Sequence, residues 1–159
     1  MDTIRILIIK EWKERARVIV TTSPIEYSRN LGAKTPLLYR PVIAPAETPC
    51  VVLWSKDETS EKKYGKQYNS MVLHVEGIDF FLNREPLEVG EEILGDLIKC
   101  YSSPEWNRRT GSPPKNDYIE SISYIKGGVY PISDGDKTVG AYADFIVTYY
   151  TKVGNPYEQ

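Results

Sequence analysis

A chain of 159 residues with a net charge of −2 is one ordinary domain, without the basic excess that a dedicated nucleic-acid binder carries. Its composition, 41% hydrophobic and 26% charged, supplies a conventional core and excludes global disorder. Tyrosine is the unusual component, twelve against three phenylalanines. A ring that packs and a hydroxyl that stays wet suit strands and interfaces, and equally a β-rich surface with no partner.

In chain order, Ile4, Ile8, Trp12 and Ala16 recur four residues apart with Leu7 beside them. That spacing predicts an amphipathic helix over residues 2–17, capped by Asp2 or Thr3, although residues 4–9 also read as a strand. Residues 17–22 predict a short strand ended by Ser23 and Pro24. From 23 to 49 the chain carries Pro24, Pro36, Pro41, Pro45 and Pro49, and predicts an extended excursion with at most short edge pairing. Residues 50–54 and 70–76 predict buried strands. Between them, residues 56–69 set Lys56, Lys62, Lys63 and Lys66 against Asp57, Glu58 and Glu61. This run reads as the charged, mobile tip of a long hairpin, dispensable for folding.

Residues 86–101 predict the second helix, with Val89, Ile93, Leu97 and Tyr101 four apart and Leu94 and Ile98 on their flanks. Glu88, Glu91, Glu92, Asp96 and Lys99 fall mainly on the opposite side, acidic early and basic late, as the helix dipole prefers. Ser102, Ser103 and Pro104 stop it, and residues 105–117 form a second long loop.

The closing stretch, 118–151, is the clearest. Ala141, Ala143, Phe145, Val147 and Tyr149 alternate with Tyr142, Asp144, Ile146, Thr148 and Tyr150. Ile119, Ser121, Ser123 and Ile125 alternate in the same way with Glu120, Ile122, Tyr124 and Lys126. Gly127 and Gly128 permit a bulge, and Ser133, Asp134, Gly135 and Asp136 supply a turn. The expected fold class is α+β: a mainly antiparallel sheet, two helices packed on one face and a long β-hairpin arm.

Chemistry is sparse in the sequence. His74, the only histidine, sits inside an alternating strand and reads as a core or sheet-surface residue. Cys50 and Cys100 are too few and too far apart for a disulfide framework, and read as small buried apolar residues. No phosphate loop, activated nucleophile or zinc spacing is present, and Asp134 to Asp136 lacks the remaining ligands of a calcium loop. Glu91 and Glu92 point about 100° apart on a helix and read as a solvated face. No enzyme, cofactor or metal is expected. The apolar run at residues 4–9 contains Arg5 and is followed by a charged segment, so neither a signal peptide nor a membrane span is expected. The candidate interface residues are Lys62, Lys63 and Lys66 in the hairpin, and Trp106, Arg108 and Arg109, with Lys115 nearby, in the second loop. The second-loop residues read as contacts to phosphate or an acidic partner, or as a solvated loop, and the hairpin lysines as part of an assembly arm.

Taken in order, the elements resemble the tail terminator proteins of long-tailed bacteriophages, typified by the lambda tail terminator. An N-terminal helix, the strand at 49–54 (PCVVLW), a long hairpin to the strand at 71–75 (MVLHV) and the acidic helix at 88–101 carry the likeness. The closing strand 141–149 (AYADFIVTY) is its most family-like piece. The proline-rich span and the loop 105–117 are larger than a minimal member needs. The resemblance implies a structural virion protein, made in the host cytoplasm. It would form a ring, a homohexamer, at the head-proximal end of the tail tube, stopping tube growth and docking the head-completion or connector protein. Its partners would be itself, the tube protein and the connector, with nucleic acid only as DNA passing through the lumen and no membrane. Alternatives are another neck or head-completion ring, or a small cytoplasmic binding domain.

Overall fold

The computed structural model describes residues 1–22, 27–39, 43–102 and 119–158. The elements are α1 (Ile4–Arg15), β1 (Leu37–Leu38), β2 (Cys50–Lys63), β3 (Lys66–Phe80), α2 (Pro86–Ser102), β4 (Ile119–Val129) and β5 (Thr138–Lys152). They build one five-stranded sheet in the order β1-β2-β3-β5-β4, antiparallel except for the two-residue β1–β2 pairing. The fold is α+β, as its sequence pattern predicts.

Helix α1 resolves the helix-or-strand ambiguity of residues 4–9. The Thr3 hydroxyl accepts from the Ile6 amide at 3.2 Å, which satisfies one of the helix's orphan donors. Ile4, Ile8 and Trp12 then line one buried face. Trp12 lies flat against Tyr101 of α2, centroids 4.4 Å apart, and meets Phe145 of β5 edge-on at 5.4 Å. The Tyr101 hydroxyl donates to the Trp12 carbonyl at 2.9 Å, so this buried polar tip has its partner. Val89, Ile93, Leu97 and Tyr101 of α2 are all fully buried, and with Trp12, Leu73, Phe145 and Val147 they form the core between the helices and one sheet face.

Three expectations change. Residues 17–22 are not a strand: residues 16–18 form a tight 3-10 turn. The Ile19 amide bonds back to Ala16 (3.1 Å), and the Ile19 carbonyl accepts from Gly32 (2.8 Å). With these groups engaged in turns, and Thr21 held by the Asn30 side chain at 2.9 Å, no ladder forms despite the β-branched composition. The contact also requires a glycine at 32, where a Cβ would stand 2.3 Å from the Ala16 carbonyl oxygen. Gly32→Ala is therefore expected to cost about 1–3 kcal/mol. An unchanged urea midpoint would show that the two turns separate freely.

Secondly, residues 56–69 do form the tip of a long hairpin, as expected, but as regular paired strands and not as a polar linker. Both strands run to the tip, and only Tyr64 and Gly65 turn between them, at φ of 50° and 75°. β3 is paired with β5 along its whole length, from Lys66–Lys152 to Phe80–Thr138, and Asn69 within the stretch is buried. Excising the segment would remove four of the fifteen β3–β5 pairs and six of the twelve β2–β3 pairs, so its removal is expected to destabilise the sheet. The outer half of β2 is charged because it is an edge strand exposed to water, a pattern that also blunts edge-to-edge aggregation.

Thirdly, Asp96 does not lie on a solvated face. It is 4% exposed, and its two oxygens accept the amides of Ser28 (3.0 Å) and Arg29 (2.8 Å), pinning the start of the proline-rich excursion to α2. Burial raises its carboxyl above the ordinary range, against the pull of those two bonds. The excursion itself supplies only the two-residue edge pairing of β1 among the described residues, as expected from its prolines.

The final hairpin forms with bulges at Glu120 and Ile125, between the paired residues Ile119/Ser121 and Tyr124/Lys126. Each bulge rephases β4, so that Ile119, Ile122 and Tyr124 come to lie opposite Tyr149, Val147 and Phe145. Strict alternation along β4 is therefore broken, and the glycines at 127 and 128 stay in register. The turn is tied by Ser133 and Asp136, whose carboxylate accepts the Ser133 amide at 2.7 Å. Cys50 and Cys100 are both buried free thiols, pushed by burial up to about 11 and about 12. No helix among the described residues is long and apolar enough to cross a membrane.

Candidate functional site: the open sheet face and the hairpin tip

The helices cover one sheet face, and the side chains in register with His74 occupy the other. Cross-strand pairing sets Trp54, His74, Asp144 and Lys126 in one row, and Val52, Glu76, Tyr142 and Gly128 in the next. The imidazole is the hub of this face. Its Nδ1 bonds Asp144 Oδ1, and its Nε2 lies 2.9 Å from Glu76 Oε1. The Tyr130 hydroxyl donates to the same Glu76 oxygen and stands 3.4 Å from Nε2. Asp144 is also reached by Lys56 at 3.1 Å and by Lys126 at 3.8 Å. Burial, and next the bond to Glu76, raise the Tyr130 hydroxyl well above its ordinary value.

Aromatic rings seal the cluster. Trp54 lies 4.2 Å from the His74 ring and Tyr142 stacks on it at 5.4 Å, leaving His74 4% and Asp144 1% exposed. An Asp–His pair can orient an imidazole as a general base, but that role requires the second nitrogen to face a substrate. Here that nitrogen is taken up by Glu76 and Tyr130 under an aromatic cover. The arrangement is a polar rivet through β2, β3, β5 and the end of β4, with each buried charge paired. His74 is thus the satisfied sheet-surface residue its alternating context predicts. Its partners escape sequence reading because they come from separate parts of the chain, on β3, on β5 and just after β4. The one local signal is the spacing of His74 and Glu76, two apart on the same strand face.

At the far end of the same strands, Lys62, Lys63 and Lys66 are brought together around the Tyr64–Gly65 turn, joined by Lys152 through its pairing with Lys66. Lys63 pairs with Glu61 at 2.8 Å, Lys152 pairs with Glu158 at 2.5 Å, and Lys66 lies over the Tyr150 ring at 4.1 Å. Trp106, Arg108, Arg109 and Lys115 lie outside the described residues. Behind the tip, Tyr149 donates to Glu58 at 2.6 Å, and Arg5 of α1 reaches Ser55 at 3.0 Å, bracing the projecting strands against the first helix.

These features define a single-sheet α+β protein whose helices seal one face and whose polar groups are gathered on the other face and at the hairpin tip. No family model and no curated protein matches the chain.

Proposed function

We propose that the protein is a structural component of a long-tailed bacteriophage, a ring at the head-proximal end of the tail tube that stops tube growth and docks the head connector. The observation that carries this reading is the order and pairing of the elements. A capped helix, a long hairpin, an acidic helix and a closing hairpin fold onto one sheet, with the family-like strand 141–149 at the inner position between β3 and β4. This is the element order on which the resemblance to tail terminators rests. The distribution of surfaces supports it further. A ring made by heterologous contacts needs two different patches on one subunit, and the lysines of the hairpin tip and the carboxylates of α2 are two such patches.

The test is tail assembly in the protein's absence. Tubes are expected to overgrow into long polytubes that cannot join heads, and adding the purified protein back should restore normal length. Tails of normal length without this protein would overturn the proposal, and binding to capsids but not to tails would reassign it to a head-completion ring.

A further inference from the structure

We infer that the basic hairpin tip of one subunit docks into the acidic groove along α2 of a second copy, a head-to-tail contact. The inference rests on the ring reading above and names the surfaces that would make the ring.

Tyr64 is the first observation. It is 95% exposed and holds φ of 50°, a left-handed conformation that asparagine or glycine adopts far more readily than a bulky aromatic residue. The turn gains no intramolecular packing from the ring. An aromatic side chain placed there at the expense of local backbone comfort suits an anchor for another surface. Lys62, Lys63, Lys66 and Lys152 surround it, and only Glu61 and Glu158 offset them locally, so the tip is basic with an apolar point.

The second observation is a groove of complementary character. It has a volume of about 790 Å³ along the outer side of α2, and its lining includes Leu87, Glu88, Glu91 and Glu92 together with Arg84 and Lys99. Leu87 is 60% exposed, an apolar side chain among carboxylates. Arg84 pairs with Glu92 at 2.7 Å and reaches Glu88 at 3.8 Å, whereas Glu91 has no ion pair among the described residues. A ring seated on Leu87 with lysines against Glu88 and Glu91 would match both the apolar and the charged parts.

The third is geometric. β3 carries the chain from the tip at Lys66 to Phe80, and the first turns of α2 lie beside that far end, where Ile93 packs over Gly77. Fifteen strand residues span roughly 50 Å, so tip and groove lie at opposite ends and cannot meet within one subunit. Two tips would repel each other. Tip into groove, repeated, is heterologous and generates a closed ring wherever the rotation permits.

The experiment is cysteine crosslinking of the full chain, with and without purified tail tubes; the native Cys50 and Cys100 are buried and do not compete. Tyr64→Cys and Leu87→Cys on separate chains, mixed and oxidised, should give only dimers, and both on one chain should give a ladder. Tyr64→Cys with Ile125→Cys, exposed on β4, should give neither. Reversing Lys62, Lys63 and Lys66 to Glu should weaken assembly about tenfold or more. Adding Glu88→Lys and Glu91→Lys on the same chain should restore it, a rescue that a folding defect would not show. Wild-type assembly without the Tyr64–Leu87 crosslink overturns the docking and leaves the ring standing. Crosslinking of the tip to tube protein instead also overturns it. A chain that stays monomeric with and without tubes overturns both.

Discussion

Truncating Phe145 to alanine is expected to lower the unfolding free energy by about 3–5 kcal/mol, measured by urea denaturation. The ring is fully buried at the centre of β5, where the aromatic contacts of the fold converge. Trp12 meets it at 5.4 Å, Tyr101 at 5.8 Å and Tyr124 at 5.7 Å, from α1, α2 and β4 respectively. Removing it would open a cavity bounded by three elements, and the stacked Trp12–Tyr101 pair is too constrained by its backbone hydrogen bond to collapse into the space. A loss below about 1 kcal/mol would place Phe145 outside the core.

Asp144→Ala, one residue earlier and on the other face, is expected to cost about 3 kcal/mol. That is the low end for breaking a buried ion pair, because Lys56 is 37% exposed and can turn to water, whereas His74 cannot. Asp144→Asn should cost less, about 1 kcal/mol, since its oxygen still accepts from Nδ1. Equal losses for the two variants would show that the charge, and not the acceptor, holds the cluster together. Neither change touches the hairpin tip or the α2 groove, so crosslinking between them should survive in the Asn variant.

Sequence periodicity reads best where one face of an element is buried and the other wet. α2 and β5 satisfy that condition, and Val89, Ile93 and Leu97, like Ala143, Phe145 and Val147, are buried as their spacing predicts. The outer half of β2 escapes because an exposed edge strand has no apolar face to announce it, so Lys56 to Lys63 resemble a loop in composition alone. Residues 17–22 mislead in the opposite direction: Val18, Ile19 and Val20 favour a strand, yet contact with Gly32 decides their backbone. The bulges at Glu120 and Ile125 shift β4 by single residues, which only its register against β5 reveals. Asp96 looks solvated until the excursion at Ser28 and Arg29 folds over it. At the candidate site the basic tip is legible as a run of lysines, but its acidic counterpart on α2 reads as an ordinary solvated helix face. Only the placement of the two at opposite ends of the sheet gives them a common meaning.

The pairing of β3 with β5 has a kinetic consequence. The hairpins β2–β3 and β4–β5 each join chain neighbours, through two and eight residues, whereas His74 and Asp144, at the middle of the seam between them, are 70 residues apart in the chain. Local hairpins close in microseconds, while a seam between distant segments must first meet the entropy of a large loop. The two halves can therefore exist briefly as separate ribbons, each with an unprotected inner edge rich in valine, isoleucine and tyrosine. During that interval the ribbon edges of different chains compete for the same pairing. Substitutions along the seam should slow refolding and increase aggregation together, while those at the outer margin of β2 should chiefly hasten unfolding.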